Sequence, residues 1–219
     1  MSFAGIHNLL LLVAKAIAPK VIGYDFYEGN MKNRYGSLQI FFHWTIFILI
    51  VVTYAAMELK GFAARGGSLR ATLLTVHYTT GVSVMLLMLV RVVAKWFSTT
   101  PDIVPAPARW QMFFAKLIHI VLYIMFIGLP LLGVLSLYFG GKEWTFFSYT
   151  MPVTDAPDGM LQFTLKDLHE LIANTGYFII GLHALAALFH HYVVRDNTLI
   201  RMLPGRREKL IENSGDDKH

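Results

Sequence analysis

The chain has 219 residues, of which 55% are hydrophobic and only 15% are charged, and its mean hydropathy is +0.51. This composition is typical of an integral membrane protein with one small bundle rather than of several soluble domains. Because the chain contains no cysteine, disulfides, iron–sulfur clusters and covalently attached c-type haem are excluded. The net charge of +5 does not indicate a nucleic-acid partner, because the basic residues flank apolar segments.

Residues 1–30 permit two interpretations. The apolar run at residues 9–18 is shorter than the ~20 residues that cross a bilayer, and Lys15 interrupts it. A cleaved signal peptide is not expected, because no basic stretch precedes the run and no clear cleavage site follows it. The alternatives are an amphipathic helix at the membrane interface and an extension upstream of a true start at Met31.

Four long apolar segments follow, at about residues 38–59, 71–94, 112–139 and 168–194. Each reaches or exceeds the ~20 residues that cross a bilayer, and at such lengths in lipid only helices satisfy their own backbone. The predicted fold is therefore all-α, an integral membrane four-helix bundle within residues 31–204. A basic and polar cytoplasmic tail, residues 205–219, completes the chain.

Individual residues add detail to this bundle. Arg91 lies near the end of the second segment, where its long side chain is expected to reach the membrane interface. In the third segment Gly128, Pro130 and Gly133 predict a kink. Three prolines within residues 99–108 prevent the second helix from continuing.

The distribution of basic residues predicts the orientation. Fourteen of the nineteen lysines and arginines lie in the N-terminal stretch, in the connection between the second and third segments with its helix ends, and in the tail. The positive-inside rule therefore places both termini in the cytoplasm. The other two connections hold the remaining five: Lys60, Arg65, Arg70, Lys142 and Lys166.

Four histidines lie inside the apolar segments: His43, His77, His169 and His183. A polar ring inside a membrane span is costly, so it usually serves a site. His169 and His183 are fourteen residues apart, which is about 21 Å along one helix and nearly the same helix face. One helix can therefore hold two haem irons, one above the other.

Depth in the membrane predicts how these histidines pair. In the predicted orientation His43 and His183 are both near the cytoplasmic side, whereas His77 and His169 are both near the outer side. The first pair would hold an inner haem and the second an outer haem, each low-spin and suited to electron transfer. A single buried histidine is more often a hydrogen-bonded core residue, but two level pairs favour ligands.

Other residues of the helices have alternative roles. His119 has no partner left at its depth, so packing or proton transfer is expected. Two roles are equally expected for His190: a solvated residue at the membrane interface, or a quinone contact that hydrogen-bonds a carbonyl and supplies a proton. His191 is expected to be solvated. Gly176 and Gly81 either leave bare backbone beside a flat cofactor or let helices approach closely.

Two stretches resemble the bacterial cytochrome b-561 family. They are residues 31–44, MKNRYGSLQIFFHW, and residues 168–198, with the elements LHE, GLHA, HHY and DNT. The resemblance covers about residues 31–204, and further short motifs add to it: Met57-Glu58, Gly61-Phe62 and Met151-Pro152. In the family, the last helix supplies two haem ligands and the first two helices supply one each, matching His169, His183, His43 and His77.

The resemblance also implies an activity and a location. It implies two non-covalent b-type haems in a multi-pass protein of the bacterial inner membrane. The chain would act as a superoxide:quinone oxidoreductase, which oxidises superoxide to oxygen and passes the electrons to ubiquinone. The partners expected are therefore superoxide, a membrane quinone and the lipid bilayer, with no nucleic acid and no obligatory protein partner.

The connection between the first two segments is a candidate for attracting superoxide. It carries Lys60, Arg65 and Arg70 against Glu58, which gives a local positive field. Ordinary loop solubility is the alternative, and the acidic connection at residues 140–159 argues against a uniformly positive outer face. Two other functions stay open: a diheme relay subunit between a partner dehydrogenase and the quinone pool, and a membrane scaffold without haem.

Overall fold

The computed structural model describes residues 34–204 of the chain. The N-terminal extension predicted for residues 1–30 and the tail predicted for residues 205–219 lie outside the described residues. Within residues 34–204 the chain forms four long helices: α1 (Ser37–Lys60), α2 (Ser68–Trp96), α3 (Arg109–Phe139) and α4 (Gly159–Phe189). A short hairpin of β1 (Thr145–Phe146) and β2 (Tyr149–Thr150) separates α3 from α4.

The four helices are long and apolar enough to cross a membrane. Large apolar side chains such as Phe41, Phe113 and Phe178 project outward from the bundle. Contiguous apolar surface of this extent is rare on soluble monomers, and lipid is the environment that suits it. The prediction of an integral membrane four-helix bundle is thus confirmed.

The helices pack as neighbouring pairs around one core. Helix α1 lies along α2, α3 lies along α4, and α2 contacts α3, whereas the backbones of α1 and α4 stand further apart. Side chains span that gap, since the Tyr54 hydroxyl donates to the Ala173 carbonyl at 3.0 Å. The buried core consists of Ile46, Val84, Met88, Leu122, Met125, Phe126 and Leu129.

Helix α4 begins at Gly159, nine residues before the start that its apolar pattern predicts. The Asp158 carboxylate caps the helix by accepting a hydrogen bond from the Leu161 backbone N–H at 2.9 Å. The first turns, which mix polar and apolar residues, extend the helix beyond its continuous apolar segment. At its other end α4 continues as a π-helical turn, His190–Val194, which ends at the left-handed residue Arg195.

Two predicted details of the helices have different outcomes. Arg91 is only 8% exposed and lies inside the bundle, so the expectation that it reaches the interface is wrong. Its face of α2 points towards α3 and Tyr123 rather than towards lipid or water. Pro130 lies within α3, which continues through it to Phe139, and the kink predicted there stays a prediction.

The hairpin marks one end of the bundle, which we call the hairpin end. Trp144, just before β1, is buried and its ring meets Tyr78 of α2 edge-on, with ring centroids 5.9 Å apart. The opposite end, called the terminal end, contains the start of α1 and the π-helical turn. The sequence pattern does not predict the hairpin, because its strands are only two residues long.

Candidate functional site

A pair of histidines faces each other near the hairpin end. His77 on α2 and His169 on α4 have ring centroids 6.1 Å apart. The Nδ1 of His77 lies 3.1 Å from the Thr53 carbonyl, and that of His169 lies 2.8 Å from the Leu129 carbonyl. Because a carbonyl only accepts, each Nδ1 carries the proton, which leaves each Nε2 with a lone pair for a metal.

A second cluster of histidines lies nearer the terminal end. The rings of His43 on α1 and His183 on α4 have centroids 6.4 Å apart. His119 on α3 joins them, with its centroid 5.1 Å from that of His183. The Nδ1 of His119 donates to the Ala115 carbonyl of its own helix at 2.5 Å, so His119 is in direct ring contact with a predicted ligand.

The spacing of the two facing pairs suits one metal atom between two rings. Metal–imidazole bonds are about 2 Å long, and the ring centre lies about 1 Å beyond the bonded nitrogen, which gives a centroid separation of about 6 Å. Among residues 34–204, no group of three or more His, Asp or Glu side chains could hold a bare metal ion. Each facing pair could therefore hold an iron whose other ligands are supplied by a porphyrin.

A cavity of about 420 Å³ adjoins the hairpin-end pair. Both His77 and His169 line it, together with apolar side chains such as Ile50 and Phe126 and the buried Trp144. Its size and largely apolar lining are typical of a cofactor site. Charged side chains also line it at the hairpin end, and we call them the charged rim: Glu58, Lys60, Lys142, Lys166 and Glu170.

Glycines keep space free beside this site. A Cβ at Gly133 would lie 3.3 Å from Cε1 of the His169 ring, so only a residue without a side chain leaves that ring undisturbed. At Gly176 a Cβ would lie 2.5 Å from the Tyr54 hydroxyl. The bare backbone of Gly176 thus makes room for the Tyr54 side chain of α1. This agrees with one of the two roles expected for Gly176, the close approach of two helices.

The candidate steering residues divide into two groups. Lys60 lines the cavity, whereas Arg65 and Arg70 do not. Arg65 is exposed, and Arg70 donates from Nη1 to the Lys60 carbonyl at 3.0 Å. Lys142 and Lys166 line the cavity too, although Lys166 pairs with Glu170 at 2.7 Å. The fold brings the loop of Lys142 and the first turns of α4 with Lys166 to the cavity, so both lysines lie beside the hairpin-end pair of histidines.

His190, the candidate quinone contact, lies in the π-helical turn at the terminal end. The Nδ1 of His190 is 2.5 Å from Oδ2 of Asp196, and Asp196 is only 3% exposed. Burial alone would raise the pKa of the Asp196 carboxyl, but hydrogen bonds from His190 and Thr198 lower that pKa overall. Asp196 therefore stays ionised and fixes the orientation of the His190 ring. His191, beside it, is partly exposed.

The four-helix membrane bundle and its facing histidines define a class of protein, the membrane cytochromes that carry electrons through b-type haem. A sequence model of the prokaryotic cytochrome b561 family matches residues 34–205. The chain belongs to the prokaryotic cytochrome b561 family, so the family predicted from the sequence is confirmed. Membership makes it a bacterial membrane protein of electron transport with b-type haem.

Several known proteins are similar to this chain in sequence. Cytochrome b561 homolog 1 of Escherichia coli (strain K12) is 43% identical over 175 residues, which are 80% of this chain and 99% of the relative. The probable superoxide oxidase CybB of Yersinia pestis is 41% identical over 177 residues, 81% of this chain and 99% of the relative. Cytochrome b562 of Cereibacter sphaeroides is 28% identical over 181 residues, again 81% and 99%.

Proposed function

We propose that the chain binds two b-type haems, one between His77 and His169 and one between His43 and His183. The observation that carries this proposal is the presence of two facing ring pairs, with centroids 6.1 Å and 6.4 Å apart. When bound, haem supplies a one-electron iron couple. The protein's own part is to hold each ring in place, and at the hairpin end backbone carbonyls of Thr53 and Leu129 do this.

We propose that superoxide is the electron donor and a membrane ubiquinone the acceptor. Each superoxide gives up one electron and leaves as oxygen, and two electrons with two protons convert the quinone to quinol. The name of the Yersinia pestis relative, probable superoxide oxidase, supports this donor. The hairpin end would face outward and both termini the cytoplasm. This orientation is in line with the seven basic residues that the described part of the chain places near the terminal end: Arg34, Arg91, Lys95, Arg109, Lys116, Arg195 and Arg201.

The charged rim would bring the anion to the cavity. Lys60 and Lys142 are cations on the lining of the cavity that holds His77 and His169. Lys166 contributes less field, because Glu170 neutralises it at 2.7 Å. Arg65 and Arg70 lie outside the lining and act from further away, so we assign the larger share of steering to the two lysines.

At the terminal end, the His190–Asp196 pair would serve the quinone. Asp196 accepts the Nδ1 proton of His190 at 2.5 Å, which orients the ring and leaves Nε2 available to a ligand. When Nε2 carries a proton as well, the ring can donate a hydrogen bond from Nε2 to a quinone carbonyl and supply the proton that this oxygen takes up on reduction. Thr198 fixes the carboxylate in turn, since its backbone N–H donates to Oδ1 of Asp196 at 2.8 Å.

The substrate assignment is tested with membrane vesicles and two neighbouring histidine variants. Superoxide generated outside right-side-out vesicles should reduce the haem within seconds, seen as a change in its absorption bands. Added quinone should then reoxidise the haem. His190→Gln is expected to slow reoxidation by quinone several-fold and leave reduction by superoxide unchanged. His191→Gln is the matched control and should behave like the wild type. Equal slowing in both variants would remove His190 from the quinone site, and haem reduced only in inverted vesicles would reverse the orientation.

The glycine beside His169 gives a structural test of the hairpin-end haem site. In Gly133→Val the new Cβ would lie 3.3 Å from the His169 ring. The two methyl groups of the valine would then displace that ring. We expect Gly133→Val to lose up to half of the bound haem, measured as the pyridine haemochrome per chain. Gly128→Val is the control on the same helix, since a Cβ there meets nothing within 4 Å. Equal haem in both variants would contradict the site.

A further inference from the structure

Arg91 is a buried cation between the helices near the terminal end of the bundle, and it has no acidic partner in the described structure. Arg91 lies on α2 and is 8% exposed, and its Nε has no hydrogen-bond partner among residues 34–204. Residues 34–204 contain two ion pairs, Lys166–Glu170 and His190–Asp196. Neither pair includes Arg91. A buried charge without a partner is strongly unfavourable, so a membrane arginine in this position calls for an anion.

The cavity beside Arg91 is lined mainly by polar side chains and holds a second cation. It measures about 30 Å³ and its polar lining includes Lys95, Gln39, Ser98 and Tyr123. No aspartate or glutamate of the described residues lines it. This volume has room for one or two water-sized groups, so it accepts a small charged group but excludes a quinone ring. The Ser98 hydroxyl already donates to the Ala94 carbonyl at 2.7 Å, and Gln39 Nε2 donates to Ser98 at 3.4 Å. The cavity therefore presents chiefly its two cations, Arg91 and Lys95, to a single small anionic group.

The same cavity reaches the histidine cluster of the terminal end. His119 lines it, and the His119 ring lies 5.1 Å from that of His183 between centroids. An anion held by Arg91 would thus sit at the edge of whatever occupies the space between His43 and His183. A group attached to that occupant can reach the arginine without leaving the bundle.

We propose that Arg91 and the cavity beside it bind a propionate carboxylate of the haem held between His43 and His183, with Lys95 as a second cation. This inference rests on the proposed function, because it needs a haem at that pair. The guanidinium fork matches the two oxygens of a carboxylate, and a charge-assisted pair satisfies the donors that the protein leaves free. Arg91 is then a haem-binding residue, and it raises the reduction potential of that haem because a nearby positive charge favours the reduced iron.

The experiment compares Arg91→Gln and Arg91→Lys with the wild-type holoprotein. Midpoint potentials of both haems come from spectroelectrochemical titration, and the propionate bending bands come from resonance Raman spectra. In Arg91→Gln one haem, the one that His43→Ala removes, should show a lower potential and a shifted propionate band. The other haem should be unchanged. Arg91→Lys should restore most of the potential but not the band, because lysine keeps the charge and loses the fork.

Arg109→Gln is the control, since Arg109 is exposed at the start of α3 near the same end of the bundle. Unchanged potentials and bands in Arg91→Gln, or equal shifts in both haems, would overturn the propionate site. If Arg91→Gln still binds two haems per chain, the proposed function is unaffected by that result. If Arg91→Gln does not accumulate, the Raman band of Arg91→Lys decides, and an unshifted band overturns the inference. A wild type with one haem would refute the two-haem proposal instead.

Discussion

Replacing His77 or His169 by alanine is expected to remove one haem per chain, and replacing His43 or His183 to remove the other. Each facing pair has the spacing of two rings on one metal, 6.1 Å and 6.4 Å between centroids. Loss of either ring would leave only one protein ligand for an iron and would enlarge the space around it, so haem would no longer be held. The wild type should release two haems into acid-acetone and each single variant about one.

The spectra of these variants identify which haem is lost. His77→Ala and His169→Ala should retain the same spectrum, and His43→Ala and His183→Ala should share the complementary one. His119→Ala is the control at the terminal end and should keep both haems. Its ring lies 5.1 Å from that of His183, closer than the about 6 Å of a metal-bridged pair. If His119→Ala loses a haem and His43→Ala does not, His119 replaces His43 as the ligand.

The double variant Lys60→Gln/Lys142→Gln is expected to slow haem reduction by superoxide several-fold at low salt. Both lysines line the cavity of the hairpin-end pair, and a cationic mouth raises the on-rate of an anion by ~10-fold or more. The wild-type rate should fall as salt rises, because the Debye length shrinks to about 8 Å at 0.15 M. The double variant should respond less to salt, as measured by stopped-flow absorbance.

The arginines of the same loop give the matched comparison. Arg65→Gln/Arg70→Gln removes the same number of charges outside the cavity lining, so its rate should fall by less. Haem content must equal that of the wild type in both double variants. A rate that does not depend on salt in the wild type would exclude steering altogether. A larger effect of the arginines than of the lysines would place the access route over the loop between α1 and α2.

The sequence predicts the spans and the histidines because both depend on local pattern. Hydropathy identifies all four helices, and the fourteen-residue spacing of His169 and His183 places them on one helix face. The start of α4 is missed because Asp158 caps the helix outside the apolar segment. Burial of Arg91 is missed because composition does not show which face of α2 meets α3. Lys142 reaches the cavity lining through the three-dimensional course of the loop after α3, which hydropathy does not describe.

The Nδ1 hydrogen bonds of the hairpin-end histidines have a consequence for assembly. His77 belongs to α2 but is held by a carbonyl of α1, and His169 belongs to α4 but is held by a carbonyl of α3. Neither ring is oriented by its own helix, so a half-bundle of α1 and α2 presents one aimed ligand and lacks the other. Capture of haem at this pair would therefore require that all four helices have docked.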